Sequence, residues 1–120
     1  MHKHWPDLAA GMSTPLKELR AGAPELMKAF SAVAQAALQA KALDTKTKEL
    51  IALAISVAIR CDACVAFHAQ AAIQRGATRE EVMEAVGMAI YMGAGPSVMY
   101  AAQAVEAFDQ FAAARSDAAA

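Results

Sequence analysis

The run Leu50-Ile51-Ala52-Leu53-Ala54-Ile55-Ser56-Val57-Ala58-Ile59, followed at once by Arg60-Cys61-Asp62-Ala63-Cys64-Val65-Ala66-Phe67-His68, decides how this chain is read. Its first ten residues contain one polar side chain, Ser56. A helix that is apolar around its whole circumference belongs in an interior. Upstream, Asp44 is placed to cap this helix, whose first turns carry Lys46, Lys48 and Glu49. Arg60 ends the apolar run, and Cys61-Asp62 opens a further helix that reaches Arg75.

The same logic extends in both directions. Gly76 offers a left-handed C-cap, and Thr78-Arg79-Glu80-Glu81 is a capping box for the next helix. That helix is again apolar all round from Ala85 to Met92. Gly93-Ala94-Gly95-Pro96-Ser97 reads as a turn, and a last helix from about Pro96 carries Val98, Ala102, Val105, Phe108 and Ala112 on one face. Towards the N-terminus, Pro24 to about Lys41 repeats Leu26, Met27, Phe30, Val33, Ala34, Ala37 and Leu38 at helical spacing, and Gly22-Ala23-Pro24 restarts the chain before it. Thr14-Pro15 begins a shorter helical turn that ends near Arg20. The expectation is an all-α domain of five to six helices, orthogonal or bundle-like, in which residues 1–120 form one unit with its core at about 24–111.

Composition agrees. The chain has 120 residues, of which 33 are Ala, with 6 Gly, 4 Pro and 6% aromatics. Ala gives up no side-chain entropy in a helix, whereas Gly and Pro interrupt one. Hydrophobic residues make up 58% and charged residues 19%, which excludes a disordered chain. A net charge of −1 with acids and bases interspersed leaves no basic footprint for nucleic acid or anionic lipid. The charge-free stretch Ala85–Val105 is long enough to span a bilayer, but the Gly-Pro turn and Gln103 argue against a membrane span. Met1 to Met12 holds no apolar core of a secretory signal, so the expected location is the cytoplasm. There a close Cys pair is more often redox-active or metal-binding than a structural staple. Two helices apolar all round exceed what a domain this small covers alone, which points to a homo-oligomer.

On a helix Cys61, Cys64 and His68 fall at i, i+3 and i+7 and share a face. Adjustment in a first turn brings the two thiols within disulfide reach. The free N–H groups at the helix start, together with Arg60, favour a thiolate, while Asp62 opposes it. His68, one turn below Cys64, is placed to take its proton. Three readings are open: a dithiol redox pair; a metal site of Cys61, Cys64 and His68 completed by His2 or His4; or two small core residues beside a satisfied His. Helix-terminus reasoning alone favours Cys61 as the reactive thiol. Twelve residues of unbroken helix would separate Glu49 from Cys61 by about 18 Å. Glu49 joins the site only if the chain bends near Arg60 and the two helices pack face to face.

Glu49, eleven residues, Cys61-Asp62-Ala63-Cys64, three residues and His68 form a specific pattern. Together with Lys46-Thr47-Lys48-Glu49-Leu50, Gly76-Ala77-Thr78-Arg79-Glu80-Glu81 and Tyr91-Met92-Gly93-Ala94-Gly95-Pro96, the chain resembles the alkylhydroperoxidase-like branch of the carboxymuconolactone decarboxylase family from about Pro24 to Phe111. The resemblance implies an all-helical trimer or hexamer and a thiol-dependent, peroxiredoxin-type reduction of hydroperoxides without metal or organic cofactor. By the family pattern, Cys64 is oxidised by the peroxide, Cys61 resolves it as a disulfide, and Glu49 with His68 forms a proton relay. An external dithiol, thioredoxin-like or lipoyl, would return the disulfide to thiols. The chain departs from the pattern at Ala63, where such peroxidases carry a His. A lactone decarboxylase and a non-catalytic oligomeric binding protein with regulatory thiols are the competing functions; the Cys pair argues against the first.

Other residues carry less. His2, His4 and Trp5 read as an arm that docks on a neighbour or as a loose end. Tyr91 and Tyr100 flank the Gly-rich turn as core and rim. Met83, Met88, Met92 and Met99 read first as adaptable packing and second as the lining of an access path for an apolar hydroperoxide.

Overall fold

The computed structural model describes residues 3–119, all of whose regular structure is helical. The helices are α1 (Trp5–Gly11), α2 (Ser13–Gly22), α3 (Pro24–Leu38), α4 (Thr45–Ala58), α5 (Asp62–Gln74) and α6 (Arg79–Ala119). The anticipated start and stop signals operate. Asp44 caps α4 by accepting the Thr47 N–H at 2.7 Å. Thr78 and Glu81 close a reciprocal box, with the Thr78 N–H on Glu81 Oε1 at 2.9 Å and the Glu81 N–H on Thr78 Oγ1 at 3.1 Å. Gly76 takes φ 82° just beyond α5. There the Gly76 N–H bonds Ile73 O and the Ala77 N–H bonds Ala72 O, a Schellman ending that satisfies two of the last carbonyls.

The turn expected at Gly93–Ser97 is much tighter than a loop. Two helical arms, 79–93 and 95–119, abut there, and a single non-helical residue, Ala94 at φ 55° and ψ −139°, makes the kink between them. Pro96 falls in the first turn of the second arm, where its missing N–H costs nothing. Gly93 is required by closeness: a Cβ there would strike the side chain of Ser97. α6 is also the one helix among the described residues long and apolar enough to cross a bilayer, and Ala94 kinks it inside that length.

α4, α5 and both arms of α6 enclose the core. Leu53 and Val57 of α4 meet Val65, Ala66 and Ala69 of α5, and Val82, Val86, Ala101, Ala104 and Phe108 of α6 complete the interior. So many Ala side chains let the helix backbones approach closely.

The N-terminus departs from expectation. α1, with Pro6 in its first turn, is a helix that the sequence reading left out, and Trp5 is neither loose nor docked on a neighbour. It is fully buried in its own chain, where its indole Nε1–H donates to Glu106 Oε1 at 2.8 Å. The core therefore begins well before residue 24. His4 pairs with Asp7 at the surface at 2.9 Å, and His2 lies outside the described residues. α3 departs in the opposite sense. It packs on α2 and only lightly on α4, and Leu26, Phe30 and Val33 are each more than 60% exposed.

Candidate redox site

The site is made by how α4 ends. Arg60 adopts φ 58°, the left-handed conformation that normally selects Gly. Its N–H bonds Val57 O at 3.2 Å and the Cys61 N–H bonds Ser56 O at 3.1 Å, the same Schellman pairing that Gly76 makes after α5. The chain reverses at once, and α5 runs back along α4. Cys61 thus closes one helix and caps the next: in extended conformation, φ −103° and ψ 101°, its Sγ accepts the Cys64 N–H at 3.3 Å. Because Cys61 sits outside the helix, its Cα comes to 5.2 Å from that of Cys64, and the two are joined as a disulfide.

The reversal also brings Glu49 to His68. Glu49 is 5% exposed, and its Oε1 lies 2.8 Å from His68 Nδ1. A carboxylate only accepts, so Nδ1 carries the hydrogen, and in the neutral ring that tautomer leaves the lone pair on Nε2. His68 is half-buried, one helical turn, about 6 Å of rise, from Cys64. The four residues singled out from the sequence thus form two pairs, Glu49 with His68 across α4 and α5 and Cys61 with Cys64 at the start of α5, with His68 one turn along from Cys64. A surface carboxylate for Glu49, the alternative to a site role, is excluded by its burial.

Sequence reading missed the partners of Asp62. Asp62, between the two thiols, accepts from Lys3 Nζ at 2.6 Å through Oδ2 and from the Tyr100 hydroxyl at 2.8 Å through Oδ1. The Lys3 ammonium, and then the Tyr100 hydroxyl, hold the Asp62 carboxyl below its ordinary range; Asp62 in turn raises the Tyr100 phenol. These partners lie 59 and 38 residues away, and no local pattern announces them. For metal binding, no group of three His, Cys, Asp or Glu among the described residues is arranged to hold an ion.

A groove of about 580 Å³ runs between α4 and the first arm of α6, lined by Leu50, Ile51, Ile55, Met88 and Met92 among others. None of Glu49, Cys61, Cys64 or His68 lines it. At 100° per residue, Ile51 and Ile55 project about 200° and 240° around α4 from Glu49. Met88 and Met92 thus border an apolar furrow away from the thiols.

The sequence profile of the carboxymuconolactone decarboxylase family matches residues 24–107. The chain belongs to this family. An uncharacterised protein of Cupriavidus necator is 45% identical over 86 residues, 72% of this chain and 76% of that one. The crystal structure of an apo family protein from Legionella pneumophila superposes with a TM-score of 0.87 at 51% identity, covering 89% of this chain and 96% of the other. A family member from Thermotoga maritima, for which a part in the antioxidative response has been suggested, gives 0.81 at 27% identity over 92% and 94% of the two chains. The family match begins at Pro24, so α1, with the buried Trp5, lies outside it.

Proposed function

We propose that this family member is a thiol-dependent oxidoreductase that reduces hydroperoxides at Cys64. The observation that carries the reading is the buried Glu49 carboxylate on His68 Nδ1, one turn from a cysteine already paired with its resolving partner. In the dithiol state, His68 Nε2 takes the Cys64 proton, and Glu49 stabilises the imidazolium. The thiolate attacks the peroxide: an S–O bond forms, the O–O bond breaks, and the leaving oxygen takes a proton and departs as alcohol or water. Two electrons pass from sulfur to the peroxide, and Cys64 becomes a sulfenic acid. Cys61 attacks that sulfur, forming the disulfide and releasing water. An external dithiol, thioredoxin-like or lipoyl, then breaks the disulfide by two exchanges and leaves as its own disulfide. No step draws on a metal or an organic cofactor.

The test is hydroperoxide consumption by purified protein with a dithiol donor. Cys64→Ser is expected to abolish turnover, and Cys61→Ser to leave a trappable sulfenic acid on Cys64. Turnover undiminished in Cys64→Ser, or a sulfenic adduct found on Cys61 instead, would overturn the assignment.

A further inference from the structure

A carboxylate between two redox thiols is at first sight misplaced. Asp62 occupies the first turn of α5, where it draws on the same positive helix end that stabilises a thiolate, and its own charge repels one. Here both Asp62 oxygens are engaged, and the cation that engages one arrives from the far end of the chain. Lys3 is no loose surface side chain. Its Nζ also donates to Gln103 Oε1 at 2.6 Å and lies 5.3 and 5.4 Å from the ring centroids of Trp5 and Tyr100. Its backbone is tied down as well: Gln110 Nε2 donates to Lys3 O at 3.1 Å, and the Trp5 N–H donates to Gln110 Oε1 at 2.7 Å.

We propose that Lys3 is a positioning residue that acts through Asp62 to set how readily the Cys61–Cys64 disulfide is reduced. This rests on the reading of the pair as redox-active. Reduction by a dithiol breaks the S–S bond and moves two electrons and two protons from donor to protein, the donor leaving as its disulfide. Whatever stabilises the thiolate stabilises the reduced protein and makes its disulfide the stronger oxidant. Arg60, Asp62 and His68 are the charged and titratable groups next to the cysteines in the chain; Glu49 of α4 is bonded to His68, and Lys3 and Tyr100 of α6 are bonded to Asp62. Glu49 is matched by His68, and Arg60 is the same in every variant compared, so the balance that substitution adjusts is Asp62 against Lys3. Loss of the ammonium leaves Asp62 to oppose the thiolate; loss of the carboxylate leaves the ammonium to favour it. The two changes act in opposite directions.

The experiment equilibrates the full chain in dithiothreitol redox buffers at pH 7 and counts thiols by alkylation and mass. Lys3→Met is expected to shift the equilibrium about threefold toward disulfide and Asp62→Asn about threefold toward dithiol, each about 14 mV at 29.6 mV per tenfold. The double variant should return close to the parent, and Lys3→Arg should stay with it. Alkylation rate against pH should move correspondingly, the thiol titrating higher in Lys3→Met and lower in Asp62→Asn. Helix content by circular dichroism identifies any variant that fails to fold, and the near-isosteric Asp62→Asn carries the charge test if Lys3→Met does not. Unmoved constants, or shifts of the same sign, in a protein that does exchange with dithiol would overturn this inference alone. A parent disulfide that no dithiol reduces would overturn the redox reading with it.

Discussion

Two residues in the left-handed region decide where α5 lies, and they differ in how plainly they announce themselves. Gly76 was legible as a helix terminator because Gly is the residue that this conformation selects. Arg60 makes the same pair of hydrogen bonds with a side chain that gives no such sign. For that reason Cys61, Cys64 and His68 could be placed together by spacing on one helix, whereas Glu49 depended on a reversal that composition does not encode. The contrast is measurable. Gly76→Ala is expected to lose about 1 kcal/mol, and Arg60→Gly to gain about 0.5 kcal/mol as relief of the left-handed strain outweighs added chain entropy. Urea titration of the two variants checks both signs. At the site itself, His68→Gln should slow alkylation of Cys64 at least about tenfold near neutral pH, the loss shrinking as the pH rises and the thiol ionises unaided. Glu49→Gln should show a smaller loss of the same form, because it acts through His68. Wild-type alkylation rates in both variants across the pH range would remove the relay.

Among the elements, those marked by local chemistry were legible: the Asp44 cap, the box at Thr78 and Glu81, and the boundary before Pro24. α1 was missed because its seven residues, WPDLAAG, carry no apolar repeat long enough to register, and its stability comes from docking Trp5 rather than from propensity. α3 shows the reverse error. Its apolar stripe was real, but a stripe says that a face wants cover and not that the same chain supplies it. The α6 bend was located correctly, yet its cause is steric contact as much as Gly-Pro punctuation. Gly93→Ala should lower the melting temperature markedly, since the new Cβ meets both Oγ and Cβ of Ser97. Adding Ser97→Gly removes the obstacle and should recover part of that loss. Failure of the second substitution to restore anything would place the requirement for Gly93 elsewhere.

At the scale of the molecule, acid sensitivity follows from three carboxylates. Asp44 is held below its ordinary value by the Thr47 side-chain and backbone hydrogen bonds, Glu81 by the Thr78 N–H and then Lys46, and Asp62 by Lys3. A depressed folded value means stability that is present above the ordinary carboxylate range, near pH 4, and lost as the pH falls through the lower folded values. Thermal melts should therefore be level through neutrality and fall below about pH 4, less steeply in Asp44→Ala. A melting temperature that rises on acidification would contradict this sign. The uncovered apolar faces make a second demand. Phe30, Ile55, Met88 and Met92 are each more than half exposed in the single chain, and assembly as a trimer or hexamer would bury such surface. Light scattering at micromolar concentration is expected to return a multiple of 12.5 kDa, and a single species at that mass would reject the proposal.

The seating of Trp5 has an optical consequence. It is the chain's sole tryptophan, and its indole is sealed from water against α6 while Lys3, two residues earlier, reaches the Asp62 carboxylate. Emission from this one fluorophore follows the attachment of the N-terminal arm and little else. A red shift at unchanged far-ultraviolet ellipticity would report that arm lifting while the helical scaffold stays intact. The lifting of the arm and the oxidation of the cysteines can thus be followed separately in the same cuvette.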